Sequence, residues 1–368
     1  MKRIIAIFLL LSIFFLAGCP DKNEKSDTNK TEVKSNKLDK KSAEEFLNNY
    51  MFHAMQRDIN AMLSYYSPKL RENYKELPKQ ENPRPVAYKI EKEGFNEDEF
   101  TVHIFSSYSK FPYFSEDVFK YKIITKDSKL MIDDIKKDKS TEYFAKGNIL
   151  YKKEDEKSKG EAIISVEDLP NFASAQNMLT PEQKFKVPKK RFGPCASSPE
   201  GDMIVISSID KDSFLGMVKL EEETFKVSQG GGQGQQEGQA AQQAQQEGQQ
   251  EEGKREVKIK SIDYFLGKVI NLIAFSPDGK KFLVEIEDEK GKREIKAYNS
   301  EDGSSIDMPL NSQFKGDVFS LRDPFFISEK EFAFSVDVKA NATDEEKRLK
   351  GDWIFDIENK KFRQIKQF

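Results

Sequence analysis

The chain has 368 residues, 33% of them charged, and a formal net charge of only -3. That length suits two ordinary domains, and the mixed signs exclude a whole-chain attraction to nucleic acid.

Lys2 and Arg3 give a short positive start, and Ile4 to Phe15 is apolar except for Ser12. The run is too short to span a bilayer comfortably, which takes about 20 apolar residues, so its layout is that of a secretory signal peptide. Leu16-Ala17-Gly18-Cys19 resembles the lipobox of bacterial lipoprotein signal peptides. The resemblance implies cleavage after residue 18, a diacylglycerol on the Cys19 thiol and an extracytoplasmic protein anchored in the membrane by lipid. At about 0.8 kcal/mol per buried methylene, two or three chains hold firmly. The competing reading is an ordinary secreted protein with a chance cysteine. Residues 19–41 are almost devoid of apolar side chains and read as a flexible tether. With Cys19 given to lipid, Cys195 has no intramolecular partner; amid Gly, Pro and Ala it reads as a buried residue rather than a reactive thiol. Two His with one spare Cys fall short of the usual ligand count of a His/Cys zinc site.

Order is expected from Ser42, where Ser42-Ala43-Glu44-Glu45 reads as a capping box. Phe46, Leu47, Tyr50, Met51, Ala54 and Met55 recur at helical spacing, and Ile59, Met62, Leu63 and Tyr66 continue in a second helix. Strands are predicted at Val86–Lys92, Glu99–Ser107, Asp117–Thr125 and Lys129–Ile135, with turn material between them. The alternation of Phe100, Val102 and Ile104 with Thr101, His103 and Phe105 gives the sheet one face to cover, and the preceding helices are the obvious cover. Ala54 to Met62, as a helix-turn-helix opening, and Lys129 to Ile135, as a closing strand, resemble the NTF2-like superfamily. That implies an α+β domain over residues 42–140 with helices on a curved antiparallel sheet; a different α+β domain is the rival. In that superfamily a pocket under the helices can carry acid or base side chains, which makes His103 the candidate pocket residue, although the sequence assigns it no partner. His53 reads as a helix-flank or core histidine.

Residues 141–188 read as a connector with candidate strands at Asn148–Lys153 and Glu161–Val166. Beyond it comes an internal repeat. Ala196-Ser197-Ser198-Pro199-Glu200-Gly201 and Ala274-Phe275-Ser276-Pro277-Asp278-Gly279 each give a strand end, a Ser-Pro-acid-Gly turn and another strand. Pro199 and Pro277 fix φ, Asp278 bonds locally, and Gly201 and Gly279 are expected to take positive φ. Phe325 to Phe334 is a worn third copy. Further strands are predicted at Phe214–Leu220, Glu294–Asn299, Trp353–Ile357 and Lys361–Ile365. These repeats resemble TolB-like or WD40-like β-propeller blades, which implies an all-β, partial propeller-like domain over residues 189–368. Three blades fall short of the four a closed propeller typically needs. Residues 229–253 contain only Gly, Gln, Ala and Glu and read as a low-complexity surface insertion.

The sequence contains no phosphate loop, no nucleophile elbow and no EF-hand. No cofactor, metal or nucleic acid is expected. The reading is a lipid-anchored binding module of the cell envelope with an envelope protein as partner; the alternative is an enzyme acting on a small molecule or cell-wall fragment in the NTF2-like pocket.

Overall fold

The computed structural model describes residues 39–74, 83–91, 98–155, 157–176, 183–220, 257–315 and 317–365. The expected signal peptide, Cys19 and the insertion at residues 229–253 lie outside the described residues. All described residues belong to one compact unit, Leu38–Phe368.

Helix α1 is Lys40–Gln56, and its N-cap is Asp39 rather than Ser42. The Asp39 carboxylate accepts the Ser42 amide at 3.0 Å, so Ser42 lies inside the first turn. Both residues are good caps; the earlier one wins because Lys40 and Lys41 cost a helix little. Ala43, Leu47, Tyr50, Met51 and Met55 form its buried stripe. Fully burying a side chain such as Leu47 or Met51 contributes about 1.5–3 kcal/mol. The short helices α2 (Ile59–Ser64) and α3 (Pro68–Asn73) are capped by Asp58 and Ser67.

Six strands come next: β1 (Arg84–Ile90), β2 (Glu99–Ser107), β3 (Tyr113–Lys126), β4 (Lys129–Lys146), β5 (Ile149–Glu154) and β6 (Glu161–Ser165). They form one antiparallel sheet in chain order. Asp127 and Ser128, both at positive φ, turn β3 into β4. The sheet serves two cores. Phe100, Val102, Tyr121, Ile123 and Ile132 pack with the α1 stripe. Phe105, Phe114, Tyr143 and Leu150 join the core of the second half. Strand β4 runs unbroken through residue 140, and β5 and β6 extend the same sheet. The stretch expected to be a connector is therefore, as far as residue 165, part of the first sheet. The helices-on-antiparallel-sheet arrangement is present, but it shares its core with the strands of the second half.

After a one-turn helix at Val166–Asp168, β7 (Phe172–Ala173) pairs with β8 (Phe185–Lys186). Three four-stranded antiparallel sheets complete the unit. The first holds β9 (Phe192–Ser197), β10 (Met203–Ile209), β11 (Ser213–Lys219) and β12 (Ile259–Phe265). The second holds β13 (Lys268–Phe275), β14 (Lys281–Asp288), β15 (Arg293–Asn299) and β16 (Ser305–Ile306). After α4 (Leu310–Gln313), the third holds β17 (Phe319–Phe326), β18 (Glu331–Val338), β19 (Gly351–Asp356) and β20 (Lys361–Gln364), with α5 (Asp344–Lys347) between β18 and β19. The 229–253 insertion falls between β11 and β12, which pair directly through Val218 and Ile259.

The repeat turns have matching geometry. Gly201 and Gly279 take φ of 71° and 69°, and their amides close onto Ser198 and Ser276 at 2.9 and 2.8 Å. Each serine oxygen accepts the amide five residues on, and each hydroxyl donates to an acid, Asp202 in the first turn and Asp278 in the second. The turns also meet: a Cβ built on Gly279 would lie 3.3 Å from Cδ of Pro199.

Packing between the sheets forms a circuit. Strands β3 and β4 lie on β9, β9 on β13, β13 to β15 on β17, and β17 on β1. The six-stranded sheet thus completes a circuit with the three four-stranded sheets. This explains why β9, β10 and β11 are buried almost end to end: they are covered on both faces, and their Val, Ile and Phe runs suit that position.

Candidate functional site

His103 does not project under the helices. It comes directly after Val102, whose side chain packs toward α1, so strand alternation puts it on the opposite face, stacked on Phe105 with ring centroids 6.4 Å apart. Its Nδ1 bonds Glu116 Oε1 at 2.6 Å and its Nε2 bonds Glu91 Oε1 at 2.7 Å. With a carboxylate oxygen at each ring nitrogen, the arrangement favours the protonated ring, in which both nitrogens donate. The hydrogen bond from Glu116 leads in raising the His103 pKa above its ordinary value; burial opposes it and Glu91 adds to it. A ring protonated on both nitrogens has no lone pair with which to take a proton. His53, on α1, has a buried Nδ1 with no hydrogen-bond partner and sits near the rings of Phe52 and Tyr65. Cys195 is buried, and burial pushes its thiol up to about 12, the condition of an inert cysteine. Among the described residues no group of three or more His, Cys, Asp or Glu side chains is placed to hold a metal ion.

The arrangement most suited to binding is elsewhere, where the end of α1 and the start of β1 meet the third four-stranded sheet. A cavity of about 300 Å³ is lined there by Met55, Gln56 and Arg57 of the α1 end and by Arg84 of β1. Arg322, Asp323 and Phe325 come from β17, Ala333, Phe334 and Ser335 from β18, and Asp352 from β19. The lining thus mixes apolar residues with three arginines and two aspartates.

Each polar group has an identifiable support. Arg57 caps α1 in the left-handed conformation, φ 59°, and its Nη2 donates to the Pro83 carbonyl at 2.9 Å. Asp58, next in sequence, caps α2, so the α1–α2 corner fixes where Arg57 stands. Asp323 is also left-handed, φ 61°, immediately before Pro324, where the β17–β18 ladder breaks between Arg322 and Phe325. Its carboxylate pairs with Arg84 Nη1 and, at 2.5 Å, with Arg322 Nη1. Its carbonyl accepts Arg84 Nη2 at 2.9 Å. Arg322 also grips Asp337, the bond that chiefly raises its pKa. Burial pulls the Arg84 guanidinium below its ordinary value, against the nearby Asp323 charge, and its Nε is buried without a partner. Asp352 accepts the Ser335 hydroxyl at 2.6 Å and has no cationic partner among the described residues. Left-handed backbone at non-glycine residues is strained and gathers at functional sites; here two such residues line one cavity.

Behind Asp323 the polar network continues through the molecule. The Asp323 amide donates to Glu285 Oε2 at 2.5 Å. Glu285 is 2% exposed and also takes Arg293 Nη1 at 3.3 Å; burial raises its pKa and Arg293 opposes that rise. Asn271 bridges Glu285 and Glu287, and Glu287 reaches Lys110 of the β2–β3 loop at 3.1 Å.

The lining residues Met55, Phe325 and Phe334 were expected only as parts of a helix and a repeat, and His103, the candidate pocket residue of the sequence, does not lie at this cavity. Its arginines stand at positions 57, 84 and 322, and only the Arg57-Asp58 helix end carries a local signal.

No protein-family model matches the chain, and no curated protein matches it in sequence. Solved structures similar to it include TolB from Acinetobacter baumannii, at 13% identity and TM-score 0.29, over 78% of this chain and 64% of that one. The chain therefore matches under two thirds of that protein's length. A putative TolB from Agrobacterium tumefaciens is similar at 8% identity and TM-score 0.32, over 72% of this chain and 83% of that one. A putative 6-phosphogluconolactonase from Bacteroides uniformis is similar at 11% identity and TM-score 0.29, over 77% and 71%.

Proposed function

We propose that the protein is an extracytoplasmic binding module, lipid-anchored through Cys19, whose body engages a partner in the cell envelope. The observation that carries this reading is the clamping of His103 between Glu91 and Glu116. The histidine that would serve the enzymatic alternative has its pKa raised, lies outside the helix-covered face and has both nitrogens engaged. The NTF2-like reading of residues 42–140 is supported by α1–α3 lying over antiparallel strands. The propeller-like reading of residues 189–368 is supported by three four-stranded meanders with recurring Ser-Pro-acid-Gly turns.

The test is affinity purification of the anchored protein from detergent-solubilised membranes after in-cell cross-linking. Wild type and His103→Gln are expected to enrich the same envelope protein. The reading fails if neither enriches one and the purified protein turns over cell-wall fragments in a reaction that His103→Gln abolishes.

A further inference from the structure

The strand turns gather at two ends of the sheet circuit. The Ser-Pro-acid-Gly turns, joining β9 to β10 and β13 to β14, stand at one end. At the other, β10 turns into β11 and β12 into β13. The Asp212 carboxylate of the β10–β11 turn accepts the Gly267 amide of the β12–β13 turn at 2.7 Å. The Tyr264 hydroxyl lies 3.0 Å from Asp212 and 3.1 Å from the carbonyl of Lys186, the strand partner of Phe172. The β2–β3 loop reaches the same end: Lys110 Nζ donates to Glu287 at 3.1 Å, and Glu287 pairs with Val269 at the start of β13.

Among the described residues, the exposed large apolar side chains are Phe111 and Phe172, both 59% exposed, and Leu266, 44% exposed. All stand at this second end: Leu266 in the β12–β13 turn, Phe172 beside Lys186 and Phe111 next to Lys110. Exposed hydrophobics scattered singly need no explanation; gathered at one end of the body, they do. The loop under Phe111 is fastened: the Lys110 amide donates to the Asn271 carbonyl at 2.8 Å, and the Tyr108 ring meets Phe111 edge-on with centroids 6.2 Å apart. Positive charge gathers here as well. Residues 184–191 hold five cations and no acid, and Lys186, Arg191 and Lys211 are exposed. Asp210 offsets Lys190 alone among these, at 3.4 Å. The apolar points sit on three separate loops, a spacing that a fluid bilayer accepts and a folded partner meets only with a pocket for each. Lysine stems lie along such an apolar surface and leave their ammonium groups among the headgroups.

We propose that this end of the body lies on a lipid bilayer, with Phe111, Phe172 and Leu266 at the boundary of headgroups and acyl chains and Lys186, Arg191 and Lys211 against anionic phospholipid. This rests on the anchor reading above: a tethered body meets the bilayer at high effective concentration, so weak contacts suffice to orient it. The end that carries the Ser-Pro-acid-Gly turns then faces away from the membrane.

The experiment places the full-length protein, purified from membranes, on vesicles of phosphatidylglycerol and brominated phosphatidylcholine, whose bromines quench tryptophan at the bilayer. Phe111→Trp, Phe172→Trp and Leu266→Trp keep an aromatic or apolar group at each point, and Lys280→Trp reports on the opposite end. Wild type, with its single buried Trp353, sets the baseline. The first three are expected to be quenched at least about twofold more than Lys280→Trp. Adding Lys186→Glu with Lys211→Glu to Phe111→Trp should reduce that quenching, as should high salt. The proposal is overturned if the three are quenched no more than Lys280→Trp, the result expected of a protein partner at this end, or if reversing the two charges changes nothing. The intact mass of the same sample reports the lipid on Cys19, so failure of the anchor and failure of this face are read separately.

Discussion

Arg84 Nη2 donates to the main-chain carbonyl of Asp323 at 2.9 Å, across 239 residues of sequence. The Arg84 guanidinium also pairs with the Asp323 carboxylate, so one residue of the first sheet holds both the backbone and the side chain of a strained residue in the last.

Arg84→Met should therefore destabilise the whole body. The Arg84 side chain is 18% exposed, and breaking such a pair leaves Asp323 with Arg322 alone, at an expected cost of about 2–4 kcal/mol. Arg84→Lys should recover little, because an ammonium cannot reproduce a two-nitrogen grip. Urea denaturation midpoints check this; a midpoint within error of wild type for Arg84→Met would show that the junction does not hold the sheets together.

The two repeat glycines should differ in a stated direction. A Cβ on Gly201 meets nothing within 4 Å, whereas one on Gly279 comes 3.3 Å from Pro199. Gly201→Ala should cost only its left-handed backbone, about 1–2 kcal/mol. Gly279→Ala should cost more, since it also crowds the neighbouring turn, and Gly279→Val more again. Lys280→Ala, just past the turn and exposed, should fall within about 0.5 kcal/mol of wild type. Equal costs for the two alanine variants in denaturation would contradict the contact between the turns.

His103 should make stability depend on pH. Its folded pKa is raised above the ordinary 6.5, so its contribution is fully present below about 6.5 and is lost as pH rises through the folded value. The gap in unfolding free energy between wild type and His103→Gln should be widest at pH 6 and below and narrow above about 6.5. A gap that widens with pH would mean the ring is neutral in the fold.

Deleting residues 229–253 should leave the melting temperature nearly unchanged. Val218 and Ile259, on either side, are cross-strand partners, so the hairpin that bridges the insertion is closed by pairing on its own. Loop length enters only logarithmically, at about 0.6 kcal/mol per doubling. A fall of many degrees in a thermal scan would show that the segment packs.

What could be read in the sequence was local. Strand β2 has the predicted bounds, Glu99 to Ser107, because its apolar residues alternate cleanly. The Ser-Pro-acid-Gly turns announced two of the sheets. Strand β4 was cut short at Ile135 because Lys136 to Lys139 are charged and exposed, a pattern that reads as a loop; cross-strand pairing to Val118, Phe119 and Lys120 holds most of that run extended. The Glu116 partner of His103 was hidden for a related reason. Glu116 reaches it only through β2–β3 register, in which Phe105 faces Glu116 and His103 faces Val118. The cavity was beyond reach, since its arginines are gathered by the packing circuit rather than by any spacing along the chain.

The most direct test of the central claim, a binding body held at the membrane by Cys19, is metabolic labelling of cells with an alkyne-bearing fatty acid. The account predicts that wild type carries the label, and that Cys19→Ser carries none and migrates as the uncleaved precursor. Label on Cys19→Ser, or an unlabelled wild type, would contradict it.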